Sequence, residues 1–285
     1  MRQSAAAVAP QPLRRVVHVV VATAVAAAGT VAMSAAPATA GVRPAASVQP
    51  AAGVQAAAGV QTAAGVQTAA GVQTAAGART AAWTPSWTGT LRYGHRSKHV
   101  RAAQLRLAAL GYWVGRADGE YGPQTVQAVL ALQKTVGLRR TGVLDAAARK
   151  VLVAGTRPKA RTTRGTTLEI DLRRQLLLVV SRGRTVWAFN TSTGNGQVYY
   201  SNGSRQIART PRGRFAIYRQ IDAVRVAPLG VLNRPKYFYG GYAIHGSASI
   251  PGYPASHGCA RLSNAAIDYV WAADLAPIGR RLWIY

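Results

Sequence analysis

The sequence predicts two folded parts: a small α-helical domain of three helices over residues 83–155, and a mostly β domain over residues 165–285 with one helix beside its reactive segment. Three observations carry this. Apolar residues recur at helical spacing between Val100 and Leu152. Beyond residue 165 the period shortens to that of strands, with turn residues at short intervals. Helical spacing then returns once, after Ser263. A chain of 285 residues suits two domains, since one usually takes about 100–200 residues.

The elements follow in order. Val100, Leu105, Leu107, Leu110 and Tyr112 outline the first helix, with Gly111 as its C-terminal stop. Asp118-Gly119 and Tyr121-Gly122-Pro123 are turn chemistry, and Pro123 opens the second helix through Val126, Val129, Leu130 and Gln133. Gly137-Leu138 and Gly142 to Asp145 lead into a third helix carrying Ala148, Val151 and Leu152. Residues 156–164 form a basic linker. Thr167 to Leu172 then alternates, which places Glu169 and Asp171 together on a face expected to be wet. Leu176 to Val180 and Thr185 to Phe189 flank Ser181-Arg182-Gly183-Arg184, a hairpin signal. Ser192-Thr193-Gly194 and Thr210 to Phe215 mark further turns entering strands, Ala243-Ile244 runs into His245, and Arg281 to Tyr285 is a final strand. Ser263 caps a helix carrying Ile267, Val270, Trp271 and Leu275.

Ahead of the folded parts the sequence has a different character. Arg2, Arg14 and Arg15 precede an apolar run from Val16 to Met33, and small residues end in Ala38-Thr39-Ala40. A positive start, an apolar centre and an A-x-A site read as a signal peptide over residues 1–40, with an uncleaved membrane anchor as the alternative. An exported, cell-wall or secreted protein is expected. Residues 51–80 repeat a six-residue unit five times, AAGVQA through AAGART, whose largest apolar side chain is a single valine. Such a segment buries too little to offset its ordering entropy, so residues 41–82 read as a flexible linker.

Charge and cysteine usage exclude several classes. The chain has 35 Lys+Arg against 8 Asp+Glu, a formal net charge of +27, yet charged residues are only 15% of it. It is poor in acids rather than rich in charge, and that disfavours carboxylate-pair chemistry and carboxylate-caged cations. One cysteine, Cys259, excludes a disulfide framework and multi-cysteine metal sites. His95 and His99 are four apart but lack a third ligand nearby, so no metal and no cofactor is expected. The basic excess first suggests nucleic acid, but export makes that an unexpected partner. Anionic wall polymers are the expected partners by charge, and a membrane only if the leading segment is uncleaved.

The reactive groups concentrate between His245 and Arg261: Ile244-His245-Gly246, then Ser256-His257-Gly258-Cys259-Ala260-Arg261-Leu262. A thiol is a weak nucleophile until deprotonated, and a neighbouring imidazole assists that near neutral pH. Gly258 leaves the backbone free to turn and aim N–H groups at a developing oxyanion. Arg261 offers a planar cationic fork to a substrate carboxylate. The chemistry alone leaves open a buried structural cysteine with incidental histidines.

The block AIHGSASIPGYPASHGCARL, with the upstream STG and TPRGRF turns, resembles the L,D-transpeptidase catalytic domain, also called the YkuD domain. The earlier segment, with Leu91, Gly94, Val100, Leu105, Leu110-Gly111-Tyr112, Asp118-Gly119, Tyr121-Gly122, Gln133, Gly137-Leu138, Gly142 and Asp145, resembles the three-helix peptidoglycan-binding domain. The first resemblance implies acyl transfer between peptidoglycan stem peptides: a Cys259 acyl-enzyme, release of D-alanine, and a 3→3 cross-link. It implies His245 as base with the Gly246 carbonyl fixing its tautomer, and backbone N–H groups of His257, Gly258 and Cys259 as the oxyanion hole. His257 is a second candidate base or a shaper of the loop. Arg261, Ser256 and Tyr239 are candidates for holding substrate. Two departures accompany the resemblance: the loop between His245 and the SHGC block is short, which implies less of a lid, and Arg261 stands where several members have Asn. An L,D-carboxypeptidase using the same acyl-enzyme, and a non-catalytic wall-binding protein, remain the alternatives.

Overall fold

The computed structural model describes residues 83–201 and 203–285; the expected signal peptide and repeat linker lie outside them. The helical part comprises α1 (Lys98–Ala109), α2 (Pro123–Val136) and α3 (Ala146–Val153). Ser97 caps α1 by accepting from the Val100 N–H at 3.2 Å, and Asp145 caps α3 by accepting from Ala148 at 2.9 Å. Pro123 opens α2, and Gly137, at φ 77°, closes it in the left-handed region. The buried face of α1 is Val100, Ala103, Gln104 and Leu107, at i, i+3, i+4 and i+7. Leu105, one of the apolar residues that outline this helix in the sequence, falls off that stripe and is exposed. Gly111 follows α1 with φ 87°, and a Cβ there would stand 3.2 Å from the Val186 carbonyl oxygen, so only glycine lets the two backbones approach.

The β part runs β1 (Thr166–Asp171), β2 (Leu176–Ser181), β3 (Arg184–Asn190), β4 (Val198–Ser201), β5 (Ser204–Ile207), β6 (Gly213–Ala216), β7 (Arg219–Gln220), β8 (Val224–Ala227), β9 (Gly230–Tyr239), β10 (Tyr242–Ser247), β11 (Ala260–Ser263), α4 (Asn264–Ala272) and β12 (Arg281–Ile284). One sheet has the order β3-β2-β1-β12-β6, and the second the order β11-β10-β9-β7 with β8 also paired to β9. Within these sheets the parallel pairs are β1 with β12 and β10 with β11. The hairpin expected at Ser181–Arg184 joins β2 to β3, with Arg182 and Gly183 both at positive φ, as a primed turn requires. Leu168, Ile170, Leu177, Val179, Leu282 and Ile284 face a core shared with Ile244, Leu262, Ile267 and Val270, so α4 and the second sheet cover one side of the first.

The other side of the first sheet corrects an expectation. Glu169 and Asp171 share a face as predicted, but that face is buried, with Glu169 0% exposed. In register beside them on β2 are Leu178 and Leu176, which join the core of the helical part with Tyr112, Leu107 and Leu132. The sheet is therefore covered on both faces, once by α4 and once by the helical domain. The Glu169 carboxylate accepts from the Arg161 N–H at 3.0 Å, the Thr162 N–H at 2.6 Å and the Tyr285 hydroxyl at 3.0 Å. The joint segment thus folds back onto a buried anion, and Arg161 stacks its guanidinium over the Tyr285 ring at 3.8 Å.

The two parts are further stitched together. The Trp113 N–H donates to the Ala188 carbonyl at 3.1 Å, and the Ala188 N–H donates to Gly111 at 2.7 Å, so the chain after α1 pairs with the outer edge of β3. Lys134 of α2 is only 1% exposed. Its Nζ lies 3.0 Å from the carbonyl oxygens of Gln175 and of Thr191 and within hydrogen-bonding reach of the Asn190 side-chain oxygen. Burial pulls Lys134 down to about 6, and the neighbouring Arg140 charge adds to that.

Candidate active site

The site is a groove of about 970 Å³ whose lining includes Tyr242, His245, Gly246, Ser256, His257, Cys259 and Arg261. Strand β10 carries His245 and pairs in parallel with β11, where Arg261 is its register partner. Side chains at one register position leave on the same side of a sheet, so the imidazole and guanidinium share a face. Cys259 lies one residue ahead of β11, partly exposed to the same groove.

His245 is 5% exposed, and its Nδ1 lies 2.8 Å from the Gly246 carbonyl oxygen. A carbonyl can only accept, so Nδ1 carries the proton and Nε2 is left with its lone pair. Burial pushes the imidazole down to about 4, opposed by the Gly246 bond and reinforced by the Arg261 guanidinium. Burial also pushes the Cys259 thiol up, opposed by a backbone bond from Ala243 and by Arg261. Both shifts favour a neutral thiol beside a neutral imidazole. Gly246 is constrained sterically as well: a Cβ there would lie 2.5 Å from Ile267 and 2.8 Å from the Asn264 side-chain oxygen, both on α4.

The SHGC loop is held from within and from the STG turn. The Ser256 hydroxyl donates to the Cys259 carbonyl at 2.6 Å and accepts from the Gly258 N–H at 3.0 Å. Two sequence-stated expectations change here, because Ser256 is 2% exposed with its hydroxyl engaged in the loop, and the Gly258 N–H points to that hydroxyl rather than toward an oxyanion. Gly258 itself has φ 139°, and a Cβ would overlap the Tyr242 ring and stand 2.9 Å from the Arg209 carbonyl. The Thr193 carbonyl accepts from Ala255 and Ser256, at 3.0 and 2.9 Å, while Ser192 and Arg261 exchange backbone bonds at 3.3 and 3.0 Å. Thr210 donates to the Gly258 carbonyl at 2.7 Å and accepts from the Gly194 N–H at 3.0 Å.

Other residues are distributed less as expected. His257 packs edge-on against Tyr199 at 4.8 Å between ring centroids. Tyr239 is 55% exposed and stacks on Tyr242 at 6.1 Å, one ring removed from the groove that Tyr242 lines. Tyr199, Thr210 and Tyr242 escaped sequence reasoning. Thr210 sits in the TPRGRF turn, where its hydroxyl was visible as turn chemistry but not as a partner for Gly258. Residues of β8, β9 and the turn between them, such as Val224, Leu229 and Leu232, also line the groove.

Residues 165–283 match the L,D-transpeptidase catalytic domain, YkuD, and residues 96–152 match a peptidoglycan binding domain. The crystal structure of the L,D-transpeptidase from Xylanimonas cellulosilytica is 48% identical, with TM-score 0.67, over 71% of this chain and 100% of that one. The chain belongs to the L,D-transpeptidase family. Two Bacillus licheniformis proteins are also similar over shorter stretches, a probable N-acetylmuramoyl-L-alanine amidase at 36% identity over 80 residues and the amidase CwlL at 42% over 82 residues. Each of these matches covers 27% of this chain and 23% of the amidase, so the chain spans about a quarter of the length of those relatives. The L,D-transpeptidase assignment therefore rests on the β part and its Xylanimonas counterpart, and the helical part carries the likeness to a peptidoglycan binding domain.

Proposed function

We propose that this member of the family is an exported enzyme that forms 3→3 peptidoglycan cross-links through a Cys259 acyl-enzyme, with loss of D-alanine. The observation that carries the reading is the His245 imidazole, buried on the groove that Cys259 lines and tied through Nδ1 to the Gly246 carbonyl. In this reading His245 Nε2 takes the thiol proton as Sγ attacks the carbonyl carbon of the third stem residue. The peptide C–N bond then breaks, the imidazolium returns its proton to the departing D-alanine amine, and a thioester remains. The side-chain amine of a second stem attacks that thioester, the C–S bond breaks, and Cys259 recovers its proton.

With the Gly258 N–H engaged by Ser256, the backbone N–H groups of His257 and Cys259 are the proposed oxyanion donors. Arg261 shares the face of His245 and is the proposed partner for a substrate carboxylate. His257, packed on Tyr199, is proposed to shape the loop rather than to act as base. A formal charge of +27 supports attraction to anionic wall polymers, which salt would weaken. Incubation of the protein with disaccharide-tetrapeptide, followed by mass analysis, tests the reading. Dimers with released D-alanine support cross-linking, and tripeptide alone supports an L,D-carboxypeptidase. No change in the substrate overturns both. A covalent carbapenem adduct that survives Cys259→Ala would refute the nucleophile assignment.

A further inference from the structure

We propose that the helical domain, through Gln127, Lys134 and Arg140, positions the loop that joins His245 to Cys259, and so sets the thiol against its base. The loop is gripped by successive carbonyls. Ile250 O accepts from the Gln127 side chain at 3.3 Å and from Asn190 at 3.2 Å, and Gly252 O accepts from the Arg140 guanidinium at 2.8 Å. Tyr253 O accepts from Ser192 at 2.8 Å. The Gln127 and Arg140 grips come from the helical domain, and Asn190, on β3, is itself held between Gln127, at 2.5 Å, and Lys134. The fit is steric too, because a Cβ on Gly252 would lie 2.9 Å from the Arg140 Cβ and 3.4 Å from Leu130.

A second line of bonds runs from Lys134 to the nucleophile. Lys134 donates to Gln175 O; the Gln175 side chain donates to the Thr193 hydroxyl at 2.7 Å and accepts from the Thr193 N–H at 2.8 Å. Thr193 O receives the Ser256 N–H, and the Ser256 hydroxyl reaches Cys259 O. Lys134 also donates to Thr191 O, whose own hydroxyl bonds Arg261 O at 2.8 Å. Both ends of the Ser256–Arg261 segment are thus tied back to Lys134, which does not line the groove. Chemistry at a thiol and base held in near-attack geometry is steeply sensitive to small displacements, with a misplacement of about 1 Å costing on the order of a hundredfold in rate.

The inference rests on reading Cys259 as the acylated nucleophile. Its test uses the full chain, with D-alanine release from disaccharide-tetrapeptide measured for wild type, Arg140→Ala, Arg140→Lys and the pair Gln127→Ala with Arg140→Ala. Arg140 is exposed, so its replacement leaves the core of the protein intact. The expected result is a kcat about tenfold lower for the pair, with KM and melting temperature unchanged and most of the rate retained by Arg140→Lys. Rates within twofold of wild type in every variant overturn the proposal, and so does a rate that falls only in step with the melting temperature. If wild type itself releases no D-alanine, the functional reading fails instead, which is a separate outcome.

Discussion

Cys259 is the only cysteine in the chain, so its protonation can be followed by alkylation without interference. An ordinary thiol, at 9.0, is about 1% thiolate at pH 7, and burial pushes Cys259 above that value. His245, held down at about 4, is imidazolium in roughly one molecule in a thousand at the same pH. A preformed thiolate–imidazolium pair would need both shifts reversed. The perturbation is therefore pH itself, and the assay is the rate of iodoacetamide modification of Cys259 between pH 5 and pH 9. The rate should climb about tenfold per pH unit through that range, with no plateau and no shoulder on the acid side. Turnover, by contrast, should stay level down to the region of pH 5 and fall as His245 takes a proton near 4. A flat alkylation rate between pH 5 and pH 8 would refute the argument, because it requires an ion pair already in place.

Three further outcomes follow from the same geometry. Gly258→Ala places a methyl against Tyr242 and the Arg209 carbonyl at φ 139°, and should cost about 1–3 kcal/mol and abolish D-alanine release; a variant with wild-type melting and turnover would contradict it. Stability should fall on acidification, since an unfolded histidine binds its proton near 6.5 while folded His245 waits until about 4. Between those values the unfolded state holds more protons, so stability present above pH 6.5 is lost progressively, by about 3 kcal/mol at pH 4. Urea midpoints for wild type and His245→Gln at pH 7 and pH 4 isolate this share, and equal losses in both proteins would count against it. Finally, Glu169→Ala removes the acceptor shared by the Arg161 and Thr162 N–H groups and the Tyr285 hydroxyl, at a cost of about 1–3 kcal/mol. Trypsin should then cut within residues 157–164 faster than in wild type, and an unaltered cleavage rate would show that Glu169 does not hold the joint.

Much of this architecture was legible because its signals are local. Pro123 opens α2, Gly183 makes the turn that its flanking strands demand, and Ser263 caps α4 next to the SHGC block. The site was legible for a similar reason, since His245 lies on β10 and Cys259 one residue ahead of the parallel strand β11, with only a short loop between them. What escaped depends on partners distant in the chain. Glu169 and Asp171 alternate like a solvated face, and nothing nearby says that the helical domain covers it. One clue was present: Leu176 to Val180 is apolar at both parities, which in a strand means two buried faces. Lys134 gave no such clue, because a lysine on a helix reads as solvated wherever its acceptors are formed by a different domain. The β4–β5 and β8–β9 hairpins were missed because β4, β5 and β8 are only four residues each, and β5 is exposed throughout, with no alternation to detect.

The buried Glu169 also bears on how such a protein could be rebuilt. A chimera that keeps the β part and grafts another helical domain at residues 156–164 would cut beside the two backbone donors that neutralise the carboxylate. It would also expose the Leu176, Leu178 and Val180 face and leave Gln175, Asn190 and Thr191 without the Lys134 side chain. The helical domain is not a cassette. A working graft would have to carry over the seam, meaning α2 and the turn after α1, as one inheritance unit with the sheet beneath them.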